Sequence, residues 1–317
     1  MLSITFARAI FVLGIFSAAS PALAQDKLKV ATGQRGNWDT SVGEIGQRAG
    51  IFKKHGVELE ILYTQGGGET QQAVISGATE IGIGAGLVGA MSVFSKGAPV
   101  RILSAETTGA GDLYWYVKTD SPIKSLQDTA GKTIAYSTKG ASTDGVVTAF
   151  IREQKLTAKP TGTGSPPATL TQVMSGQIDV GWAAPPFGLE QLDKKEIRII
   201  ATGNDSNFKG QTVRVNIVHA GALKDKKAII DRYMKAYRET VDFMYADPAV
   251  LKLYAEFVGT TPEIAGRVRD KYFPKEMVDP DRIAGLEVIT QDAIATKFLS
   301  GPLSASQITE LMQILPR

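Results

Sequence analysis

Ala73-Val-Ile-Ser-Gly-Ala-Thr-Glu-Ile-Gly-Ile-Gly84 is a stretch that this chain uses twice, because Gln172-Val-Met-Ser-Gly-Gln-Ile-Asp-Val-Gly-Trp-Ala183 repeats its pattern. Ser-Gly, an acidic residue, a β-branched residue and a further Gly stand at matching places. Glycine tolerates the left-handed conformation that ends many helices, so each copy predicts a helix that stops at Gly77 or Gly176, followed by a short buried strand. A similar strand precedes each copy, at 27–32 and at 132–136. We therefore expect two similar α/β units with a cleft between them.

The N-terminal segment differs from the rest of the chain. Arg8 precedes the apolar run Ala9-Ile-Phe-Val-Leu-Gly-Ile-Phe16, and Ala22-Leu-Ala24 offers the small-x-small pattern of a signal-peptidase site. This pattern predicts a cleavable secretory signal over 1–24 and a mature periplasmic chain from Gln25. A membrane anchor is the alternative, but the apolar run is shorter than the roughly 20 residues that cross hydrocarbon.

The composition excludes several classes of protein. With 317 residues, 43% apolar and 21% charged, the chain is long enough for two domains with their own cores. Cysteine is absent, which excludes disulfides, thiolate metal ligands, a cysteine nucleophile and a lipid-carrying cysteine. Without Arg8 of the signal, 34 basic residues face 32 acidic ones, a formal charge of +2. This balance gives no electrostatic reason to expect a nucleic-acid partner.

The order of the predicted elements divides the mature chain into two lobes. Glu106-Thr-Thr-Gly-Ala-Gly-Asp112 leads into the aromatic strand Leu113-Tyr-Trp-Tyr-Val-Lys118, and Thr212-Val-Arg-Val-Asn-Ile-Val218 has the alternation of a strand that returns. After Lys226 the apolar spacing is helical, which predicts a helical C-terminal tail on lobe one. The predicted boundaries are 25–110 and 212–317 for lobe one, and 111–211 for lobe two.

Several further motifs, taken in order, resemble a known family. They are Gly50-Ile-Phe-Lys-Lys-His-Gly-Val-Glu-Leu-Glu60, Gly66-Gly-Gly68, Ser76-Gly-Ala-Thr-Glu-Ile-Gly82 and Gly97-Ala-Pro-Val100. Behind a signal and a first strand, they resemble the periplasmic solute-binding proteins of ABC importers for aliphatic sulfonates, taurine, nitrate and thiamine-type pyrimidines. The similarity covers nearly the whole mature chain. It implies the α/β fold of a type II periplasmic binding protein, with two similar lobes joined by two crossover strands and a helical C-terminal tail.

The resemblance also implies a function and partners. It implies a solute-binding component that captures a small organic anion, such as a sulfonate, a taurine-like solute or a carboxylate, or else a heteroaromatic. The implied partners are this ligand and an ABC permease in the inner membrane, and we expect a monomer with no cofactor, no metal and no nucleic acid. A pyrimidine-synthase-like enzyme on the same fold and a ligand-presenting subunit for a membrane sensor are the alternatives. The signal and the lack of an active-site His or Cys cluster favour a protein that is not an enzyme.

Loops beyond the carboxyl ends of strands hold ligands in α/β sheets, and this rule selects the candidate residues. The loop after the first strand ends at Ser41-Val-Gly-Glu44, which predicts a capping box. Members of the similar family place ligand contacts in this loop, at the triple glycine and after the third strand. The predicted ligand-binding residues are Arg35, Asn37, Trp38, Gly67, Gly68, Gly86, Thr107 and Thr108 in lobe one, Ser142, Thr143, Pro185 and Phe187 in lobe two, and Arg214 on the returning strand.

Several of these candidates have a purely structural alternative. Arg35 and Trp38 offer a cation and a flat apolar face, but a solvated Arg and a Trp packed under the loop fit equally well. Ser142 begins a helix, where N–H groups at the positive end hold an anion, yet its hydroxyl would also serve as a helix cap. The planar fork of Arg214 suits a carboxylate or sulfonate, and the alternative is a salt bridge at the hinge.

One motif indicates a different function. Gly84-Ala-Gly-Leu-Val-Gly89 matches the dinucleotide fingerprint G-x-G-x-x-G, and Glu106 lies 20 residues beyond Gly86, where a ribose-binding acid would stand. The motif follows the third predicted strand rather than the first, so we favour small residues that permit helix packing and ligand approach. The two histidines, His55 and His219, have no nucleophile or metal pattern beside them. A hydrolase built on paired carboxylates is left open by the sequence.

Overall fold

The computed structural model describes residues 25–314 of the chain, so the signal predicted at 1–24 lies outside the described residues. Within them the strands are β1 (Asp26–Gly33), β2 (Val57–Thr64), β3 (Ile81–Gly86), β4 (Val100–Thr108), β5 (Tyr114–Lys118), β6 (Thr133–Tyr136), β7 (Lys159–Gly162), β8 (Gly181–Ala183), β9 (Ile197–Thr202) and β10 (Thr212–His219).

The α-helices of the same residues alternate with these strands and then form the C-terminal tail. They are α1 (Val42–Arg48), α2 (Ile51–Lys54), α3 (Gly67–Ile75), α4 (Leu87–Ser95), α5 (Ser142–Glu153), α6 (Pro166–Met174), α7 (Leu189–Asp193), α8 (Ala220–Asp225), α9 (Lys227–Ala246), α10 (Ala249–Val258), α11 (Pro262–Arg267), α12 (Leu286–Ala295) and α13 (Ala305–Leu311). Between residues 25 and 314, none of the helices combines the length and apolar character that a membrane crossing requires.

Lobe one contains a five-stranded sheet in the order β2-β1-β3-β10-β4. β1 pairs in parallel with β2 and β3, and Val30 stands opposite both Ile61 and Ile81. β10 runs antiparallel between β3 and β4. A strand from late in the chain therefore completes a sheet that is otherwise built from 26–108, in agreement with the alternation in the sequence.

Lobe two contains a three-stranded antiparallel sheet, β8-β5-β9, and the parallel pair β6-β7. The chain passes between the lobes at 109–113 and 203–211, and these two crossings lie side by side. Gly109 N donates to Gln211 O at 2.7 Å, and Gly203 N donates to Leu113 O at 2.8 Å. The connection between the lobes is therefore a pair of segments that are hydrogen-bonded to each other.

The sequence repeat is also a repeat of structure. Gly77 follows α3 with φ of 73°, and Gly176 follows α6 with φ of 79°. Both angles lie in the left-handed region that glycine adopts without strain. The predicted helix ends are confirmed, and each is followed by the short buried strand that the pattern indicates, β3 or β8.

The acidic residue of each repeat has the same role in both lobes. Glu80 Oε2 accepts a hydrogen bond from the backbone N–H of Lys29 at 2.6 Å, and Asp179 Oδ2 accepts one from the backbone N–H of Thr133 at 2.9 Å. Lys29 lies on β1 and Thr133 on β6, the strands that precede each copy. The acidic residue thus links the N-terminal ends of two strands in each unit, β1 and β3 in lobe one and β6 and β8 in lobe two.

The first helix begins differently from the capping-box prediction. A 3₁₀ turn at Asp39–Ser41 runs directly into α1, and Ser41 makes no side-chain cap. Its hydroxyl instead donates to Asn37 O at 2.5 Å, while Glu44 pairs with Arg48. The prediction was wrong because the preceding turn already supplies the helical geometry that a capping box would initiate.

The C-terminal tail packs on lobe one and also reaches lobe two. α9 packs on α1 and α2, α12 on α4, and α13 on β4. Ion pairs connect the tail to lobe two, with Arg152 Nη2 3.0 Å from Asp292 Oδ1 and Arg267 Nη1 2.8 Å from Asp193 Oδ2. All four side chains are partly exposed, so each pair contributes little to stability.

Candidate functional site

An enclosed cavity lies at the seam between the lobes. Its volume is about 20 Å³, which leaves room for about one water molecule. Gly33, Gln34, Asn37, Thr40, Gly67 and Gly84 line it from lobe one, Leu113, Ser137, Ala141, Ser142, Thr143 and Trp182 from lobe two, and Arg214 from β10. Nearly all of these residues are buried, so the cavity has little access to bulk water.

The cavity lies where strand ends meet helix starts. β1 ends at Gly33 and β3 at Gly86, while α3 begins at Gly67 and α5 at Ser142. The first N–H groups of a helix have no partner within the helix, and the helix dipole makes this end positive. The site is therefore suited to the acid group, or another acceptor, of a small solute.

Glycines bring the lobes into backbone contact beside the cavity. A Cβ at Gly68 would lie 2.0 Å from Lys139 O, and a Cβ at Gly89 would lie 2.1 Å from Gly140 O. Gly68 N also donates across the seam to Thr138 Oγ1 at 3.0 Å. A side chain at either glycine would hold the lobes apart, so this closed arrangement requires glycine at both positions.

Arg214 is held beneath the cavity by two buried carboxylates. Its Nε donates to Asp39 Oδ2 at 2.6 Å and its Nη2 to Asp112 Oδ2 at 2.7 Å. Burial opposes the charged guanidinium, but the neighbouring carboxylates of Asp112 and Asp39 outweigh it and raise the pKa of Arg214. The salt-bridge alternative therefore accounts for two of the three guanidinium nitrogens, and the side chain still lines the cavity.

Carboxyl groups outnumber cations in this buried cluster. Glu106 is fully buried, and its Oε2 accepts from Gly84 N at 2.7 Å. Burial, followed by repulsion from Asp39, holds the pKa of Glu106 well above its ordinary value. Burial also raises the pKa of Asp112 to about 6, although the guanidinium of Arg214 acts in the opposite direction. The cluster therefore takes up protons at a higher pH than exposed carboxylates do.

The structure brings part of the predicted set together. Asn37, Gly67, Ser142, Thr143 and Arg214 all line the cavity. Gly86 borders a smaller neighbouring cavity that Ser142 also lines. These residues come from both lobes and from the returning strand, as the strand-end rule indicates.

Arg35 and Trp38 lie apart from the cavity. Trp38 is fully buried, its Nε1 donates to Tyr245 Oη at 3.1 Å, and its ring packs edge-on against Tyr254 at 4.8 Å. The guanidinium of Arg35 is exposed, stands 4.4 Å from the ring centre of Phe257 and donates to Phe257 O. The structure thus places Trp38 in the packing under its loop and Arg35 on the surface of the tail, which are the structural alternatives that the sequence left open.

The remaining predicted residues surround the cavity without lining it. Thr107 Oγ1 donates to Asp39 Oδ2 at 2.8 Å, and the hydroxyls of Thr108 and Thr212 are 3.0 Å apart. Gly68 lines an open groove of about 680 Å³ on one flank, and Phe187 lines a groove of about 590 Å³ on the other. Pro185 is buried in the segment that leads from β8 to Phe187.

Trp182, Gln34 and Ser137 line the cavity but are missing from the predicted set. The repeat carried a signal for Trp182, because this residue aligns with Ile83, on the strand that ends at the cleft in lobe one. Gln34 directly follows β1 and Ser137 directly follows β6, and the sequence identifies both strands. Only the packing of the two lobes shows which polar residues of these loops face inward.

The histidines lie elsewhere in the molecule. His55 Nε2 is 2.8 Å from Glu239 Oε2, and His219 Nδ1 accepts from Gly221 N at 3.1 Å. Neither residue lines the cavity between the lobes. Over residues 25–314, no group of three or more His, Cys, Asp or Glu is placed to hold a metal ion.

Two α/β lobes with a small enclosed cavity at their seam define the fold of a periplasmic binding protein. Residues 45–250 match the family model described as NMT1/THI5 like. Because this match spans more than half of the chain, the protein belongs to the NMT1/THI5-like family.

Solved structures with the same fold include sulfonate-binding proteins. The alkanesulfonate-binding protein SsuA from Xanthomonas axonopodis pv. citri, bound to MOPS, has a TM-score of 0.74 at 15% identity, over 93% of this chain and 99% of that one. The periplasmic aliphatic sulphonate-binding protein SsuA from Escherichia coli has a TM-score of 0.67 at 17% identity, over 91% and 92% of the two chains. At these identities the similarity establishes the fold alone.

An enzyme shares the fold as well. The desulfurization enzyme DSZB has a TM-score of 0.61 at 16% identity, over 92% of this chain and 97% of that one. A search of curated protein sequences finds no match to this chain. The fold is therefore compatible with both solute binding and catalysis, so the function has to be inferred from the residues of the site.

Proposed function

We propose that the protein is the solute-binding component of an ABC import system. It captures a small organic anion, such as a sulfonate, a taurine-like solute or a carboxylate, or a heteroaromatic, in the cavity between the lobes. It then delivers the solute to a permease in the inner membrane. The observation that supports this proposal best is the enclosed cavity, which lobe one, lobe two and the returning strand line together.

The cavity explains how binding would change the shape of the protein. A solute that contacts Asn37 of lobe one and Ser142 of lobe two gains more from the closed form than from the open one. Such differential contact shifts the equilibrium toward closure. A solute of several heavy atoms exceeds the volume of about 20 Å³, so the cavity would have to widen locally around it while the lobes keep their contacts at Gly68 and Gly89. The permease would recognise the resulting closed form.

We also propose how the chain is divided into lobes and where the protein is located. Lobe one would comprise 25–110 and 212–317 and lobe two 111–211, hinged at the two bonded crossings. A cleavable signal at 1–24 would direct the protein to the periplasm, where it would act as a monomer without a cofactor.

A binding role is favoured over catalysis by the residues of the cavity. The chain has no cysteine, and both histidines lie outside the cavity lining. The buried carboxyls of Asp39 and Asp112 are both engaged by Arg214. The cavity lining itself contains no Asp, Glu, Cys or His. This set is suited to holding a solute by hydrogen bonds and offers no general acid or base in direct contact with it.

A thermal-shift screen of the mature chain tests the proposal. Sulfonates, taurine, nitrate, aliphatic and aromatic acids and pyrimidines would be compared, because a ligand that binds only the folded state raises the melting temperature. We expect at least one of these solutes to raise it in a concentration-dependent way and to bind with one-to-one stoichiometry. If none does, the binding role is wrong. Stimulation of a reconstituted permease and ATPase by the loaded protein would separate transport from sensing.

A further inference from the structure

Two residues that line the cavity each have a buried side-chain atom without a hydrogen-bond partner within residues 25–314. The atoms are Oδ1 of Asn37 in lobe one and Nε1 of Trp182 in lobe two. Both residues line the cavity, and their exposed fractions are 3% and 0%. Asn37 Nδ2 already donates to Gln34 Oε1 at 3.1 Å, so the unpaired atom of Asn37 is an acceptor. The unpaired atom of Trp182 is a donor.

A closed cavity makes these two atoms selective. A buried donor or acceptor without a partner costs about 1–3 kcal/mol, and bulk water has little access to this cavity to supply the partner. A solute that enters the cavity, which has to widen to admit it, displaces any single water and must replace its bonds. The solute therefore gains most when it carries an acceptor for Trp182 and a donor for Asn37.

The two lobes offer the solute opposite hydrogen-bonding partners. Trp182 shares lobe two with Ser142 and Thr143, which open α5 at its positive end, so its N–H and this helix end both suit an acid group. In lobe one, Asp39 and Asp112 are already bonded to Arg214, and the unpaired Oδ1 of Asn37 is the acceptor that is left for an N–H donor of the solute.

We propose that Asn37 and Trp182 determine specificity, and that the solute is an organic acid that also carries an amino, amide or ring N–H donor. Its acid group lies toward Trp182 and the start of α5, and its donor lies toward Asn37. This assignment rests on the proposed binding function and narrows it from organic anions in general to acids with a donor at the other end.

Matched pairs of probes test this assignment by calorimetry. The pairs are 2-aminoethanesulfonate with ethanesulfonate, and 3-aminopropanoate with propanoate. We expect the unmodified protein to bind the amino-bearing member of each pair about 10- to 100-fold more tightly, since a hydrogen bond to a charged donor is worth about 1.5–3 kcal/mol. Equal or weaker binding of the amino-bearing members would overturn the assignment.

Two variants separate the roles of the residues. In Asn37→Ala, the two members of each pair should bind with about equal affinity. The affinity of this variant for ethanesulfonate should stay within about threefold of that of the unmodified protein. Trp182→Phe keeps an aromatic ring but removes the N–H, so both members of a pair should weaken by a similar factor. A preference that survives Asn37→Ala, or a Trp182→Phe variant that binds both members normally, contradicts the roles assigned.

Separate control measurements distinguish a variant that fails to fold from one that fails to bind. Circular dichroism and the melting temperature without solute establish that each variant folds, and if Asn37→Ala does not fold, a crystal structure with 2-aminoethanesulfonate decides. The ammonium nitrogen within 3.2 Å of Asn37 Oδ1 would support the assignment, and any other placement would overturn it. If none of the four acids binds while another solute of the screen does, this inference fails and the proposed function stands. If no solute binds, the proposed function fails.

Discussion

At the scale of residues, the centre of the site is one arginine shared between two aspartates. Arg214 lies on the strand that returns to lobe one, Asp39 follows β1, and Asp112 lies in the first crossing. The cluster therefore joins three parts of the chain that meet only when the fold is complete. The sequence supplied Arg214 as a candidate from the alternation of its strand, but nothing in the sequence shows that Asp39 and Asp112 would both turn toward it.

Removing the guanidinium should destabilise the fold strongly. Arg214→Met would leave two buried carboxylates without their cation, which costs about 3–5 kcal/mol of unfolding free energy. Adding Asp39→Asn and Asp112→Asn to the same chain removes the uncompensated charge and should restore part of that loss. Urea denaturation of the single and triple variants measures both effects. A loss below about 1 kcal/mol for Arg214→Met would show that the cluster is not stabilised as described.

The raised pKa of Asp112 predicts how stability depends on pH. The pKa of Asp112 rises from 3.8 to about 6 on folding because of burial, so the folded chain binds more protons than the unfolded chain between these values. The free energy of unfolding should therefore fall as the pH rises through this window, by a contribution on the order of 3 kcal/mol. Asp112→Asn should flatten the slope, whereas Asp120→Asn, at an exposed position, should not.

Glu106 contributes with the same sign, since its pKa is also raised, so the slope in Asp112→Asn should be reduced but not abolished. Denaturation midpoints at several pH values between 4 and 7 check this prediction. Identical slopes in Asp112→Asn and the unmodified protein would contradict it.

At the scale of elements, the interlobe contact depends on the glycines of α3 and α4. The dinucleotide-like motif that contains Gly86 and Gly89 packs against the loop of lobe two that ends in Gly140 and Ala141. Its glycines are explained by this contact, and Glu106 bonds to the backbone of Gly84 instead of standing free for a ribose. The interpretation of the motif as a site of close approach is therefore supported by its surroundings.

A methyl group at Gly89 should hinder closure. Gly89 lies in the first turn of α4, and its Cβ would meet Gly140 O of lobe two at 2.1 Å and Gln71 Nε2 of its own lobe at 2.7 Å. If the closed form falls to about a tenth of its population, the apparent dissociation constant rises about tenfold. We expect Gly89→Ala to weaken binding in calorimetry while circular dichroism shows that the variant folds.

Gly266→Ala is the matched control for this prediction. Gly266 lies in α11, and the nearest heavy atom to its Cβ would be Leu251 Cδ1 at 3.8 Å. It should fold and bind solute with unchanged affinity. If Gly89→Ala binds solute as tightly as this control, the contact at Gly140 has no part in binding.

Most of the fold was predictable from local patterns, whereas the inner surface of the site was not. Gly77 and Gly176 marked helix ends because a left-handed residue leaves a local signature, and β10 was identified by its alternation. Trp38 and Trp182 are equally aromatic, yet one packs beneath a loop and the other faces the cavity. That difference depends on which lobe surface meets the other, and this long-range packing leaves no trace in local sequence.

At the scale of the whole molecule, the proposed function requires two lobes that move. The lobes touch through backbone contacts beside a cavity of about 20 Å³, and the crossings at 109–113 and 203–211 are bonded to each other. Two crossings that lie side by side are the arrangement about which a hinge motion would leave each sheet intact. Under the proposed function, a solute would enter the cavity when this hinge opens.

The distance between the lobes in solution would show whether the protein closes on its ligand. The chain has no cysteine, so Ser76→Cys and Ser175→Cys give one exposed label site at the end of each repeat helix. Pulsed electron–electron double resonance between spin labels at these sites would be recorded with and without the solute of the screen that binds most tightly. We predict that saturating solute narrows the distance distribution and shifts it away from that of the free protein, and that Gly89→Ala prevents the shift. The same distribution with and without a solute that demonstrably binds would contradict a protein that closes on its ligand.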